Sequence, residues 1–191
     1  MLRSLLVYLS EREGPKNLLT SLPAGRRLAG RFIAGETQDD AVRAVRQLNA
    51  EGFEVTLDHL GESVSNPATA EEACRVYVGL LDRIAAEGLR SHISIKLTQL
   101  GLAISEQLAQ RLLSAICEAA ARCHNFVRID MESSAYVDAT LRVFRGAAAP
   151  RDVLGVVIQS TSIAASGTLM NSSMKGFASG WSKVPTRNPG T

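Results

Sequence analysis

The stretch "SHISIKLTQLG", Ser91–Gly101, decides the fold, because it sets a lysine inside a run that otherwise reads as a buried strand. Successive strand residues face opposite sides of a sheet. Ile93, Ile95 and Leu97 therefore share one face, and Ser94 and Lys96 share the other. A buried lysine without a partner is costly, so the polar face must meet other polar groups. Three further runs repeat the pattern. In "FEVTLDHLGE", Val55 and Leu57 oppose Thr56 and Asp58; in "FVRIDM", Val127 and Ile129 oppose Arg128 and Asp130; in "VLGVVIQS", Val156 and Ile158 oppose Val157 and Gln159. Each strand is expected to end with a polar residue on its second face: Asp58, Lys96, Asp130 and Gln159.

Helical segments alternate with these strands. Thr37 reads as the N-cap of "TQDDAVRAVRQLNAEG", with Asp39 and Asp40 in the first turn, Ala41, Val45 and Leu48 as its apolar stripe, and Gly52 as its stop. Thr69 or a neighbour caps "AEEACRVYVGLLDRIAAEG", which Gly88 ends; Ser105 opens "SEQLAQRLLSAICEAAARC"; "SSAYVDATLRVFRGA" stops near Gly146 and Pro150. Strands alternating with helices predict a parallel sheet. A doubly wound sheet would be apolar on both faces. A (β/α)₈ barrel instead points polar residues inward at its C-terminal mouth, where active sites lie. That makes Asp130 on the neighbouring strand the expected partner of Lys96. No G-x-G-x-x-G or phosphate-loop motif follows any strand.

Composition narrows the function classes. Hydrophobic residues make up 46% of the 191 and mean hydropathy is +0.05, enough for a sizeable core. The net charge of +2 argues against nucleic acid. No apolar run reaches the length of about 18 residues that spans a bilayer, and "MLRSLLVYLSEREG" reads as an amphipathic helix rather than a signal peptide. Broken helical stretches follow over Leu18–Ile33. Cys74, Cys117 and Cys123 form no C-x-x-C pair and read as buried free thiols of a cytoplasmic protein; no metal site is expected from them and His59, His92 and His124. Residues 161–191 contain no Asp or Glu and three basic residues, and are rich in Ser, Gly and Thr, as a disordered extension would be.

"TLDHLGE", "SIKLTQLGL", "VRIDMESS" and "GVVIQS", in this order and spacing, closely resemble bacterial monofunctional proline dehydrogenases, from about residue 15 to Ser160. The resemblance implies a distorted TIM-type (β/α)₈ barrel with FAD at the C-terminal strand ends, of which residues 1–160 hold about the first four β/α units. It implies oxidation of L-proline to 1-pyrroline-5-carboxylate, with electrons passed to a membrane quinone. By the same resemblance, Lys96 and Asp130 border the proline site as its catalytic pair, with Lys96 on the substrate, while Met131 and Gln159 contact the flavin. The location implied is the cytoplasm, or the periphery of the inner face of the membrane. No metal or nucleic-acid partner is implied.

After Gln159-Ser160 the family continues Tyr-Leu-Tyr-Arg, where "TSIAAS" stands here. Back-translated and read one nucleotide earlier, "TSIA" allows Tyr-Leu-Tyr-Arg, and "GWSKVPTRNPG" allows Arg-Leu-Val-Lys-Gly-Ala-Tyr-Lys-Glu-Pro, a later family strand; the single codon of Trp181 constrains that reading. Residues 161–191 are thus expected to be out-of-frame, and the 191-residue chain to be truncated and inactive on proline by itself. Two other readings stand beside this one: a non-catalytic barrel fragment or interaction module without flavin, and an aldolase-like barrel using Lys96 as a Schiff-base amine. The last explains neither the motif set nor Gln159.

Overall fold

The structure is a computed structural model and describes residues 35, 37–61, 63–150 and 152–158. The expected helical segments before residue 34, Gln159 and the tail 161–191 lie outside the described residues. Helix α1 (Gln38–Ala50) leads into β1 (Val55–Asp58). Then come α2 (Pro67–Ala86), β2 (Ser91–Ile95), α3 (Glu106–Arg122), β3 (Val127–Ile129), a 3₁₀ turn (Ser134–Tyr136), α4 (Val137–Gly146) and β4 (Leu154–Val156).

The helices start where side chains cap free backbone N–H groups. Thr37 and Asp40 form a reciprocal capping box on α1, and Ser105 Oγ accepts from the Leu108 N–H of α3. In α2 the cap is Asn66 rather than Thr69. Pro67 at the first helical position lacks an N–H and starts the helix earlier than its apolar run. Gly52 and Gly88 follow the ends of α1 and α2 with φ of +95° and +60°, the left-handed region where glycine costs least.

The α1 stripe differs from the expected one. Val42 and Val45 are buried, Ala41 only partly, and Leu48 is exposed. The buried face is rotated toward two polar residues whose hydrogen bonds are met. Gln38 donates to the Val76 carbonyl, and Asn49 donates to the Phe53 and Arg90 carbonyls while accepting from the Arg90 N–H at 2.8 Å. A satisfied amide can stand on a buried face at little cost.

All strand pairs are parallel, in the order β1-β2-β3-β4. With right-handed crossovers, adding every strand in the same direction puts each connecting helix on the same face. A doubly wound sheet would reverse its order at a switch point. The core follows that geometry. Ile93, Ile95, Val127 and Ile129 are fully buried beneath α2 and α3, with Leu57 and Leu154 beside them. Pairing of Ile129 with Val156 sets Val156 and Ile158 on this helix-side parity, as their alternation predicts.

Candidate active site at the carboxyl ends of the strands

The second sheet face carries a different chemistry, in levels fixed by the register. Thr56 pairs with His92 at the lower level, and their side chains are 2.7 Å apart. Asp58, Ser94, Arg128 and Gly155 stand in line at the next. One step on, Ile95 pairs with Ile129, so Lys96 and Asp130 are level just past the ladder. The Asp130 N–H donates to the Ile95 carbonyl at 2.9 Å, which holds that alignment. Lys96 and Asp130 therefore leave adjacent parallel strands on the face away from the helices.

Their ion pairing differs from the expected Lys96–Asp130 contact. Lys96 Nζ lies 3.9 Å from Asp58 Oδ2, on the other neighbouring strand. Asp130 Oδ1 is held at 3.0 Å by Arg128 Nε, two residues back on its own strand, and Arg128 also reaches Ser94 Oγ at 3.2 Å. The guanidinium occupies Asp130, while the long lysine stem reaches back one level to Asp58. Burial pushes the Asp58 carboxyl above its ordinary value, opposed by the charge on Lys96 and reinforced by that on Asp130. Burial likewise lowers His92, with Arg128 adding to the effect.

Behind these charges lies a buried polar layer. Gln99, 2% exposed, accepts at 2.8 Å from the Tyr77 hydroxyl, and its amide nitrogen lies 2.7 Å from His59 Nδ1. Tyr77, fully buried on α2, lies 3.4 Å from both Asp58 Oδ1 and the His59 carbonyl, and burial raises its phenol far above the ordinary range. Gly61 leaves room for this arrangement, since a Cβ there would stand 2.6 Å from Gln99 Nε2. Thr98, 1% exposed, meets Glu132 twice: its N–H donates to Oε2 at 3.0 Å and its hydroxyl to Oε1.

Of the residues expected at the site, Lys96 and Asp130 stand together at the mouth. Met131 is buried just beyond Asp130. Gln159 is outside the described residues. The residues not anticipated as a network are Tyr77, Gln99, His59, Thr98 and Glu132. Their one sequence signal is two consecutive polar residues, Thr98-Gln99, between Leu97 and Leu100, which are both fully buried. Cys74 and Cys117 are buried free thiols, and burial pushes Cys117 up to about 12. Cys123 is only partly buried.

Comparison with known proteins gives a consistent result. The family model for proline dehydrogenase matches residues 41–170. The chain is 37% identical over 162 residues to Proline dehydrogenase 1 of Bacillus subtilis (strain 168), covering 84% of this chain and 53% of that one. It is 32% identical over 158 residues to Proline dehydrogenase 2 of the same strain, covering 83% and 52%. It thus spans about half the length of the curated relatives it matches. Among solved structures, proline utilization A (PutA) from Bdellovibrio bacteriovorus, inactivated by N-propargylglycine, superposes with a TM-score of 0.65 at 20% identity, over 76% of this chain and 18% of that one. PutA from Bradyrhizobium japonicum gives 0.57 at 20% identity, over 81% and 18%. With the singly wound sheet, these likenesses establish the fold as TIM-barrel type, with three complete β/α units and a fourth strand among the described residues.

Proposed function

The chain belongs to the proline dehydrogenase family, and from that premise we propose that its polar sheet face forms part of a site for oxidation of L-proline to 1-pyrroline-5-carboxylate. The cofactor of this reading is FAD and the final electron acceptor a quinone, which brings the reaction to the surface of a membrane. No helix among the described residues is long and apolar enough to cross one. The observation that carries the reading is the cluster of Asp58, Lys96, Arg128 and Asp130 at the carboxyl ends of the strands, on the face that no connecting helix covers.

The donor set fits a flavin. Lys96 and Arg128 offer only N–H groups, which suit the carbonyl and phosphate acceptors of FAD, and Met131 adds an apolar side chain at the same strand end. Bound flavin supplies the acceptor for the hydride that leaves the ring carbon next to the proline nitrogen. The chain's own part is binding and charge. Lys96 supplies positive charge beside the substrate. Asp130, held by Arg128, keeps a carboxylate level with it, and the ring nitrogen, neutral before the hydride departs, lies between opposite charges. In this reading Met131 lines the flavin side, the role that the family resemblance also gives to Gln159.

A chimera tests this. Residues 37–158 replace the matching half of Proline dehydrogenase 1 of Bacillus subtilis, and flavin absorbance and proline-dependent dye reduction are measured. The chimera is expected to hold flavin and oxidise proline. Lys96→Ala or Asp130→Ala within it should lower turnover by about a hundredfold, the scale of a lost positioning contact, with flavin retained. A folded, flavin-loaded chimera indifferent to both substitutions overturns the reading.

A further inference from the structure

Thr98 stands two residues past Lys96, and each of its backbone and side-chain polar groups is tied to another loop. Its N–H and hydroxyl both go to the Glu132 carboxylate, in the loop after β3. Its hydroxyl oxygen accepts from the Ser63 N–H, and its carbonyl from the Val64 N–H, both at 3.3 Å, in the loop after β1. One buried threonine thus joins the loops that follow three consecutive strands: the first begins just after Asp58, and the other two carry Lys96 and Asp130. Ser63 has φ of +49°, a conformation that costs a non-glycine residue energy and persists where its surroundings hold it. A buried threonine needed only for packing would be replaceable by valine, which has nearly the same shape. Here valine leaves the Glu132 carboxylate and the Ser63 N–H each short of a partner.

We infer that Thr98 and Glu132 are positioning residues of the site: together they set the spacing of the β1, β2 and β3 loops and so hold Lys96 against Asp58. The inference rests on the reading of Lys96 as a substrate-side residue, but its test needs neither proline nor flavin. Among the described residues, the titratable and charged groups around this end of the strands are Asp58, which meets the Lys96 ammonium, His59 just after β1, Arg128 on β3 with Asp130 just past it, Glu132 in the following loop, and the Tyr77 phenol from α2. With the strap cut, the Asp58 carboxylate drifts from the ammonium, and the proton on Lys96 is held less tightly.

The measurement is trace acetylation of the full 191-residue chain across a pH series, read residue by residue by mass spectrometry. Lys16, Lys175 and Lys183 serve as internal references. In Thr98→Val and Glu132→Gln, the acetylation midpoint of Lys96 should move to lower pH, with its rate at neutral pH up about threefold, the scale of a half-exposed ion pair. Thr98→Ser, which keeps the hydroxyl, should restore the parent profile. A Thr98→Val chain that melts at a lower temperature yet keeps the parent Lys96 midpoint makes the strap merely structural and overturns the inference. So does a Thr98→Ser chain that behaves like Thr98→Val. Failure of the proline reading would leave these profiles unchanged, since the chimera assay alone reports on it.

Discussion

At the scale of single residues, the mouth of the sheet is governed by competition for carboxylates. Arg128 takes Asp130 and Lys96 turns to Asp58, so a cation from β3 and one from β2 are neutralised one level apart. Asp58 remains the strained member, because burial outweighs the neighbouring ammonium and raises its carboxyl. The folded chain then binds that proton more readily than the unfolded one. This contribution to stability is full below about pH 4 and is lost as pH rises through the raised value. Asp58→Asn removes the ionising group. In urea titrations from about pH 4 to pH 7, the stability difference between variant and parent should move in favour of the variant as pH rises. A difference that moves toward the parent over that range would show that the Lys96 attraction exceeds the burial cost. Inward placement of Lys96 was legible from alternation alone. Its partner was not, because a long flexible stem can reach carboxylates on either neighbouring strand.

At the scale of elements, caps and faces decide where helices begin and how they lie. Ser105 accepts from Leu108 N–H in an extended conformation, and α3 buries Leu112, Leu113 and Ile116 beneath the two central strands. Ser105→Ala removes that acceptor and should cost about 1 kcal/mol in a urea unfolding experiment; an unchanged midpoint would mean that water replaces the cap fully. Ser105 and Thr37 were readable because each directly precedes an amphipathic run. Asn66 was less so, since the first turn of α2 is Pro-Ala-Thr-Ala with little pattern of its own. The rotated face of α1 was hidden for another reason. Asn49 earns its half-buried place through Arg90, 41 residues away, and periodicity carries no information about such bonds.

At the scale of the whole molecule, β2 and β3 are paired on both sides and lie under the two best-buried helices, while among the described residues β1 and β4 have one neighbour each. Local opening is easiest where fewest ladder bonds break. Native-state hydrogen exchange should find the slowest amides at Ile93 and Ile95, which face β3, with those of β1 and β4 exchanging at least about tenfold faster. Equal protection across the four strands would mean that the sheet opens only as one unit. The same asymmetry places Lys96 and Asp130 directly after the most stable strands, which suits groups that must hold their positions.

The sequence by itself determined the class of fold, since alternating parity in four strands separated by helices fits a sheet with one apolar and one polar face. Asp58, Lys96 and Asp130 fell on that polar face from parity alone, and the motifs around them pointed to the family that the comparisons establish. Only the tertiary structure decided how those charges pair and what holds them. Thr98 meets Glu132 across 34 residues and Tyr77 meets Gln99 across 22. In sequence each is an isolated polar residue, and only when the loops close does burial force each donor and acceptor to find its partner.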